Sequence, residues 1–196
     1  MTTAERSPTA ARDAAAPNLN KWGPYRLTRD SVEAPLMWRY LEMSEDANPV
    51  YWDEEFAKNS VYGRIIAPPH AIMAFTFAPW WSPDYVIKKI EEDAARMSEG
   101  ADTGMAANTA VTSLGYTTAT MVGSDFEYIA PWGPGDGRIK SRARTTDVSI
   151  EKQTRPGKGV FITSETEYRT EVGDRLIARS TLTLLMYDGT TPRENQ

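Results

Sequence analysis

The chain has 196 residues, of which 40% are hydrophobic and 25% charged, with a formal net charge of −5 at pH 7. This length allows one domain with a sizeable core, and the acidic balance argues against nucleic acid as the main partner. The absence of cysteine excludes disulfides, thiolate metal sites and cysteine nucleophiles. No stretch approaches the roughly 18 apolar residues of a membrane span, and no signal-peptide pattern occurs, so we expect a cytoplasmic protein without membrane contact.

Both ends of the chain are expected to be flexible tails. Residues 1–18 are rich in alanine, threonine, serine and proline and contain no apolar run, and residues 188–196 are mostly polar. The sequence between these tails, residues 19–187, shows no internal repeat. It is therefore predicted to form a single domain.

The first part of that domain is predicted to contain two helices separated by a loop. A helix over residues 33–43 is indicated by apolar residues at helical spacing, which are Leu36, Met37, Tyr40 and Leu41. The segment of residues 46–49 ends this helix, because the residue before a proline avoids the helical region. Asp53 is placed to cap a second, short helix, with Glu54 and Glu55 near its positive end.

Two more helices are predicted before residue 100. Residues 71–78 are apolar on every face, which is typical of a helix buried on all sides, and Pro68 and Pro69 set its start. The next helix is predicted to run from Ser82 to about Met97. We expect its charged residues to form a solvated face, namely Lys88, Lys89, Glu91, Glu92 and Asp93.

From about Thr117 onward the sequence predicts strands. Four candidates, separated by turns rich in glycine and proline, cover residues 117–130, 138–152, 160–172 and 175–187. Gly173 and Asp174 predict a tight hairpin between the last two. The last strand has one mostly apolar face, with Leu176, Ala178, Ser180, Leu182, Leu184 and Met186, and one polar face, with Arg175, Arg179, Thr181 and Thr183. This order predicts an α+β fold in which an antiparallel sheet wraps around one long buried helix.

Several short motifs follow one another along the chain. The first is Asp46-Ala47-Asn48-Pro49-Val50-Tyr51, followed by residues 62–69, by Asp125-Phe126-Glu127-Tyr128, by Gly135-Asp136 and by Glu151-Lys152 before the final hairpin. Together these motifs resemble the MaoC-like and FAS1-like dehydratases over residues 25–187. The resemblance implies the hotdog fold and hydration of a trans-2-enoyl thioester to the (3R)-hydroxyacyl form, or the reverse dehydration. No motif predicts a metal ion or another cofactor.

The resemblance also assigns roles to individual residues. Asp46 occupies the acidic position of the family and Asn48 that of its polar neighbour. The reaction needs a water held between an acid and a base, and donors for the negative charge that grows on the thioester oxygen. In the dehydratases that this chain resembles, the N-terminus of the buried helix faces the thioester oxygen. The N–H groups of His70 and Ala71 would then be the donors, because Pro69 has none.

The chain departs from the family pattern at one position. Histidine normally follows the aliphatic residue of the first motif, but here Tyr51 stands in its place, and a phenol with a pKa of about 10 is a poor base. The sole histidine, His70, lies elsewhere. The Tyr variant resembles subunits of heteromeric hydratases, such as mycobacterial fatty-acid synthase hydratases and steroid side-chain acyl-CoA hydratases. It implies a subunit that binds an acyl-CoA or acyl-carrier thioester and is completed by a second hotdog chain with the full Asp/His pair.

The segment of residues 80–118 is longer than a minimal hotdog domain requires. It is rich in aromatic residues, glycine and methionine. We expect it to be an insertion in which Trp80 and Trp81, together with Tyr51, shape the pocket of a bulky acyl group such as a steroid side chain. An exposed partner surface is the alternative for the two tryptophans.

The same residues are also compatible with two different functions. The Asp46 motif is typical of a plain turn as well, since Asp and Asn side chains cap backbone groups. In that case the chain is a silent acyl-thioester-binding or scaffold subunit. The second possibility is a self-sufficient homodimer that uses Asp46 and His70, although His70 also fits as a helix cap or packing residue.

Overall fold

An antiparallel sheet of six strands is the frame of the molecule. The computed structural model describes residues 7–77, 80–98 and 106–189. The strands are β1 (Arg26–Ser31), β2 (Thr118–Tyr128), β3 (Arg138–Val148), β4 (Lys152–Thr154), β5 (Gly157–Thr170) and β6 (Leu176–Tyr187). They lie in the order β1-β3-β5-β6-β2, with the short β4 paired to the start of β5.

The helices precede most of the sheet in the chain. They are α1 (Ala10–Ala15), α2 (Ala34–Ser44), α3 (Glu54–Asn59), α4 (Ile72–Thr76), α5 (Asp84–Met97) and α6 (Ala106–Ser113). Short 3-10 turns occur at Ala16–Asn18, Pro49–Tyr51, Pro69–Ala71 and Val172–Asp174. Within the described ranges no helix has the length and apolar character needed to cross a membrane.

Two clusters of buried apolar side chains hold the helices on the sheet. The first joins α2, α4 and the sheet through residues that include Met37, Leu41, Ile72, Ile139 and Ile177. The second joins α1, α6 and the far end of the sheet through residues that include Ala15, Val111, Val148, Val160 and Ile162. Full burial of one Leu, Ile or Met side chain contributes about 1.5–3 kcal/mol, so each cluster is a substantial part of the stability.

Most of the predicted elements are confirmed. The helix expected over residues 33–43 is α2, the helix expected from Ser82 is α5, and the four strand candidates are β2, β3, β5 and β6. Asp53 caps α3, because its carboxylate accepts the N–H groups of Glu55 and Phe56 at 2.8 and 3.0 Å. The predicted hairpin before β6 is present, and Gly173 adopts the left-handed conformation there, with φ of 75°. The α+β arrangement is therefore confirmed.

The two faces of β6 are less distinct than predicted. Ala178, Ser180 and Met186 are buried and Arg179 is exposed, as expected. Ile177, on the predicted polar face, is also buried, in the first apolar cluster. Side chains on both faces of β6 are therefore buried at this end of the strand.

The prediction of a flexible tail over residues 1–18 is wrong for its second part. Residues 10–15 form α1, whose Ala11 and Ala15 side chains are buried in the second apolar cluster. The helix packs against α6, and the carbonyl of Pro8 accepts the N–H of Glu151 at 2.7 Å. Alanine has the highest helix propensity and lets two helices approach closely, so an alanine-rich stretch gains order from a partner that local composition does not reveal. Residues 1–6 and 190–196 lie outside the described residues.

The long buried helix of the prediction is short in the structure. After the turn Pro69–Ala71, α4 has five residues, and Phe77 beyond it has extended backbone and a side chain that is 69% exposed. The sequence agrees with this early end, because proline is disfavoured in a helix interior and Pro79 is two positions after Phe77. Ala78, the last residue of the predicted helix, lies outside the described residues.

The solvated face predicted for α5 is correct except at Asp93. Lys88, Lys89, Glu91 and Glu92 are exposed, but Asp93 is only 7% exposed. Its carboxylate forms ion pairs with Arg96 and with Arg138, the latter at 3.0 Å. A buried carboxylate with two guanidinium partners is tolerated because its charge is compensated, and Arg138 comes from a strand distant in sequence.

Candidate active site

The loop that carries Asp46 is held by hydrogen bonds within itself. It begins where α2 ends, and Asp46 Oδ1 accepts the N–H of Asn48 at 3.1 Å. Asn48 Oδ1 in turn accepts the N–H of Val50 at 3.2 Å, which starts the turn Pro49–Tyr51. Both side chains thus cap backbone groups two residues ahead, as Asp and Asn do in turns. The plain-turn alternative accounts for these hydrogen bonds.

Tyr51 is a packing residue with a protonated hydroxyl. Its side chain is 8% exposed and belongs to the first apolar cluster, and its carbonyl accepts Nε1–H of Trp38 at 3.0 Å. Burial, the negative charge of Asp46 and the neighbouring Tyr62 raise the pKa of the Tyr51 phenol. The hydroxyl therefore stays protonated at neutral pH, where it can donate a hydrogen bond but cannot act as a base.

Two tryptophans, Trp38 and Trp52, pack beside this loop. Nε1–H of Trp52 donates to the carbonyl of Asp46 at 2.8 Å. The ring of Trp52 stacks on that of Trp38, with 6.2 Å between centroids and 5° between planes. Trp38 belongs to α2, so the stack ties the Asp46 loop to the helix before it.

His70 lies in the turn before α4 and is exposed to solvent. Its ring contacts that of Tyr40 from α2, with centroids 5.6 Å apart and planes tilted by 51°. Among the residues that the structure describes, no hydrogen bond or ion pair joins His70 to Asp46. Both residues border the C-terminal end of α2 without a direct hydrogen bond between them, so their pairing as acid and base stays a prediction.

Ala71 is buried, and its N–H already donates to the carbonyl of Pro68 at 3.0 Å. The free N–H donor that the resemblance implied at this position is therefore absent. The cause is the tight 3-10 turn Pro69–Ala71, which uses an amide that an α-helix would leave unpaired in its first turn.

Trp80 and Trp81 do not pack into the domain. Their relative exposures are 103% and 73%, so neither ring is buried within this chain, and their role in shaping an acyl pocket stays a prediction. Ser82 beside them is buried, and its hydroxyl accepts Nη1–H of Arg29 at 3.3 Å. This contact holds the segment on β1 while both indole rings face outward, which is the exposed-surface alternative.

A row of aromatic residues connects His70 with the edge of the sheet. Beyond the Tyr40–His70 contact, Tyr40 lies close enough to Tyr128 of β2 that it contributes, after burial, to raising the pKa of the Tyr128 hydroxyl. Tyr128 stacks on Phe126 with centroids 6.0 Å apart. The motif of residues 125–128 was the sequence signal for this row, but the proximity of Tyr128 to Tyr40 could not be predicted from it.

The row continues inward to a buried tyrosine under α4. Phe126 stacks on Tyr168 with centroids 6.5 Å apart. The hydroxyl of Tyr168 lies 3.2 Å from Ser180 Oγ and 3.7 Å from the sulfur of Met73, which belongs to α4. Burial raises the pKa of this phenol above its ordinary value, although the Ser180 hydrogen bond acts in the opposite direction. A protonated hydroxyl is thus held beside the helix that follows His70.

The described residues contain no evident metal-binding site. No group of three or more His, Asp or Glu side chains there is arranged to hold an ion.

One protein family matches most of the chain. Residues 24–179 match the family described as "FAS1-like, dehydratase domain region". This range includes the Asp46 loop, the turn with His70, and the sheet up to the last strand. The match covers every residue of the candidate site that the sequence singled out.

Two curated relatives are named as hydratase subunits. The chain is 31% identical over 155 residues to a "Probable enoyl-CoA hydratase alpha subunit" of Thermomonospora curvata, covering 78% of this chain and 44% of the relative. It is 27% identical over 168 residues to the "3-oxo-4,17-pregnadiene-20-carboxyl-CoA hydratase alpha subunit" of Mycobacterium tuberculosis, covering 83% of this chain and 47% of the relative. The chain thus spans about half the length of these relatives.

Solved structures with the same fold support the hotdog assignment. A chain in the crystal structure of the ChsH1-ChsH2 complex from Mycobacterium tuberculosis superposes with a TM-score of 0.67 and 24% identity, covering 93% of both chains. A MaoC-like dehydratase from Rhodospirillum rubrum gives a TM-score of 0.54 and 16% identity, covering 87% of this chain and 93% of the other. The hotdog fold that the resemblance implied is confirmed.

Proposed function

The chain belongs to the FAS1-like dehydratase family, and from this premise we propose that it is one subunit of an (R)-specific enoyl-CoA hydratase whose acid/base pair is supplied by a second hotdog chain. One observation carries the proposal. The family's histidine position holds Tyr51, buried and with a raised pKa, and no hydrogen bond or ion pair joins Asp46 to the sole histidine within the described residues. This chain alone then lacks a base at the place where the reaction needs one.

The chemistry explains why a missing base matters. In hydration, a water loses a proton as its oxygen bonds to C3 of the enoyl thioester, and a proton is added at C2. General acid–base catalysis by a positioned side chain contributes about 10²–10⁴-fold to such a step. A neutral phenol donates a hydrogen bond but does not take that proton. Tyr51 and Asn48 are therefore proposed to bind substrate and Asp46 to take part in the proton transfer, while the partner's Asp/His pair completes the acid/base machinery and supplies the base.

The free edge of β2 is the proposed place for the partner. In the described part of the sheet, β2 pairs with β6 on one side only, and it exposes Met121, Val122 and Tyr128. An exposed edge strand offers unpaired backbone groups to another strand. Because Tyr128 is linked through Tyr40 to His70, a chain paired with β2 would border the candidate site.

The acyl group is proposed to be bulky. The Mycobacterium tuberculosis relative is named for a pregnadiene-carboxyl-CoA, which has a polycyclic acyl group. Trp80 and Trp81 offer a large exposed aromatic surface in the segment that exceeds a minimal hotdog domain. Aromatic side chains suit a flat apolar ligand, so we propose that these two tryptophans and the partner together cover the acyl group.

A second candidate function is favoured by the hydrogen bonds of Asp46. Because its carboxylate caps the turn, the chain fits a silent acyl-thioester-binding subunit equally at this position. The variant Asp46→Asn separates the two, since an amide oxygen keeps the cap and removes the charge. A loss of kcat of tenfold or more in the assembled complex supports a catalytic Asp46, and unchanged kcat supports the silent subunit.

The primary test is hydration of crotonyl-CoA and of a bulkier enoyl-CoA by the purified chain. The assay is repeated after addition of a hotdog chain that carries a complete Asp-x-Asn-Pro-x-His motif. We expect no turnover by the chain alone and turnover after mixing. Turnover by the chain alone would overturn the proposal and favour the homodimer that uses Asp46 and His70.

A further inference from the structure

We propose that Asp136 is a positioning residue for the reaction, because it clamps the segment of residues 64–67 that leads into the turn with His70. The inference rests on the proposed function and extends it to a residue outside the Asp46 loop. Asp136 lies in the loop between β2 and β3 and belongs to the Gly135-Asp136 motif of the resemblance, which assigned it no role.

The clamp is a buried carboxylate with three partners. Asp136 is 6% exposed, and its Oδ2 accepts Nη2–H of Arg64 at 2.6 Å and the N–H of Gly133 at 2.9 Å. Its Oδ1 lies 2.9 Å from Nη2 of Arg175 at the start of β6. The carboxylate therefore joins three segments: the one before His70, its own loop and the sheet.

Backbone contacts extend the clamp toward the site. The N–H of Ala67 donates to the carbonyl of Trp132 at 2.6 Å. A Cβ on Gly133 would lie 2.9 Å from Cα of Ile66, so only glycine permits this approach. Trp132 also packs edge-on against Phe75 of α4, with centroids 5.2 Å apart. The loop thus holds both sides of the turn that carries His70.

The connection from Ala67 to His70 is stiff. Pro68 and Pro69 lie between them, and a proline ring fixes φ near −65°. A shift of Ala67 is therefore carried to His70 rather than absorbed by backbone rotation. The N–H of His70 is a donor that the resemblance implies for the thioester oxygen. Misplacement of such a group by about 1 Å can lower the rate 10²-fold, so a clamp at this point acts on the chemistry without touching substrate.

The chain offers a matched control. Asp93 is buried to the same degree and also faces two arginines, Arg96 and Arg138, but these lie on α5 and β3. The variants Asp136→Asn and Asp93→Asn remove the same charge from similar surroundings. A merely structural role for Asp136 predicts the same behaviour in both.

The test compares both variants in the active assembly with crotonyl-CoA. For Asp136→Asn we expect kcat to fall about tenfold while KM changes less than about twofold, as for an effect confined to the transition state. For Asp93→Asn we expect kcat within about twofold of the wild type despite a similar loss in Tm. Unchanged kcat in Asp136→Asn, or equal losses in both variants, would overturn the proposal. If Asp136→Asn does not fold, Arg175→Met removes one partner and is expected to show a smaller loss of kcat in the same direction.

Amide hydrogen exchange provides a readout that does not depend on activity. In Asp136→Asn we expect faster exchange at Ala67, whose N–H bonds to Trp132, and in Asp93→Asn no change there. Unchanged exchange at Ala67 in Asp136→Asn contradicts the clamp. An assembly that shows this exchange pattern but does not hydrate enoyl-CoA refutes the proposed function and leaves the clamp standing.

Discussion

The loop of Asp46 and the loop of Asp136 both border the candidate site, and they are held in opposite ways. Asp46 is partly exposed, and its carboxylate bonds to a backbone amide two residues away. Asp136 is buried and bonds to Arg64, which is 72 residues away. A loop whose carboxylate bonds to a neighbouring amide depends less on distant hydrogen-bond partners for its local shape. A loop held by distant partners sets where other segments lie, so damage to it reaches further.

The largest expected effect comes from deleting the long-range carboxylate. The variant Asp136→Ala leaves two guanidinium groups and the Gly133 amide without their acceptor. Loss of one partner of a fully buried ion pair costs about 3–5 kcal/mol, and here both arginines are partly exposed, so we expect about 2–3 kcal/mol. Urea denaturation measures the change in the free energy of unfolding. A loss below about 1 kcal/mol would show that the distant partners of Asp136 contribute no more to stability than the local hydrogen bond of Asp46.

A slightly smaller effect is expected at the backbone contact of the same loop. In Gly133→Ala the new methyl group would meet Ile66 Cα at 2.9 Å and the Ala67 nitrogen at 3.0 Å. Backbone atoms cannot rotate away, so we expect a loss of about 2 kcal/mol, in the range of overpacking. The control is Gly123→Ala in β2, where the nearest atom is 3.8 Å away. Equal stability of both variants would contradict the close approach.

Lowering the pH removes the charge of the Asp136 carboxylate without a mutation, and we expect a smaller loss of stability. Burial alone would raise the pKa of Asp136, but the Arg64 and Gly133 hydrogen bonds outweigh it and hold the pKa below its usual value. A lowered pKa in the folded state means that the stabilisation is present above the unfolded pKa of about 3.9 and is lost as pH falls through the folded pKa. We expect the free energy of unfolding to fall below about pH 4, and to fall less steeply in Asp136→Asn. Parallel pH curves for both proteins would refute the lowered pKa.

The smallest effect is expected at the locally held loop. In Asp46→Ala one partly exposed hydrogen bond to Asn48 N–H is lost, so we expect about 0.5–1 kcal/mol. Asp46→Asn keeps an acceptor and should stay within about 0.5 kcal/mol of the wild type. Chemical denaturation of the three proteins checks this order. A loss in Asp46→Ala as large as that in Asp136→Ala would remove the distinction between the loops.

Local patterns predicted the elements whose residues contact their neighbours in sequence. The apolar spacing of α2, the Asp53 cap and the turns between strands all depend on residues a few positions apart. Elements that depend on distant partners were missed or misjudged. The strand β1 pairs with β3 more than a hundred residues later, and α1 is ordered by α6.

The site follows the same division. By itself the sequence determined the family, the hotdog fold and the replacement of a histidine by Tyr51, because motif residues and their order are local information. Only the tertiary structure decided that His70 packs against Tyr40, that Trp80 and Trp81 face solvent and that Asp136 reaches Arg64. The physical reason is that burial and ion pairing depend on which distant segments the sheet brings together. No spacing along the chain encodes those distances.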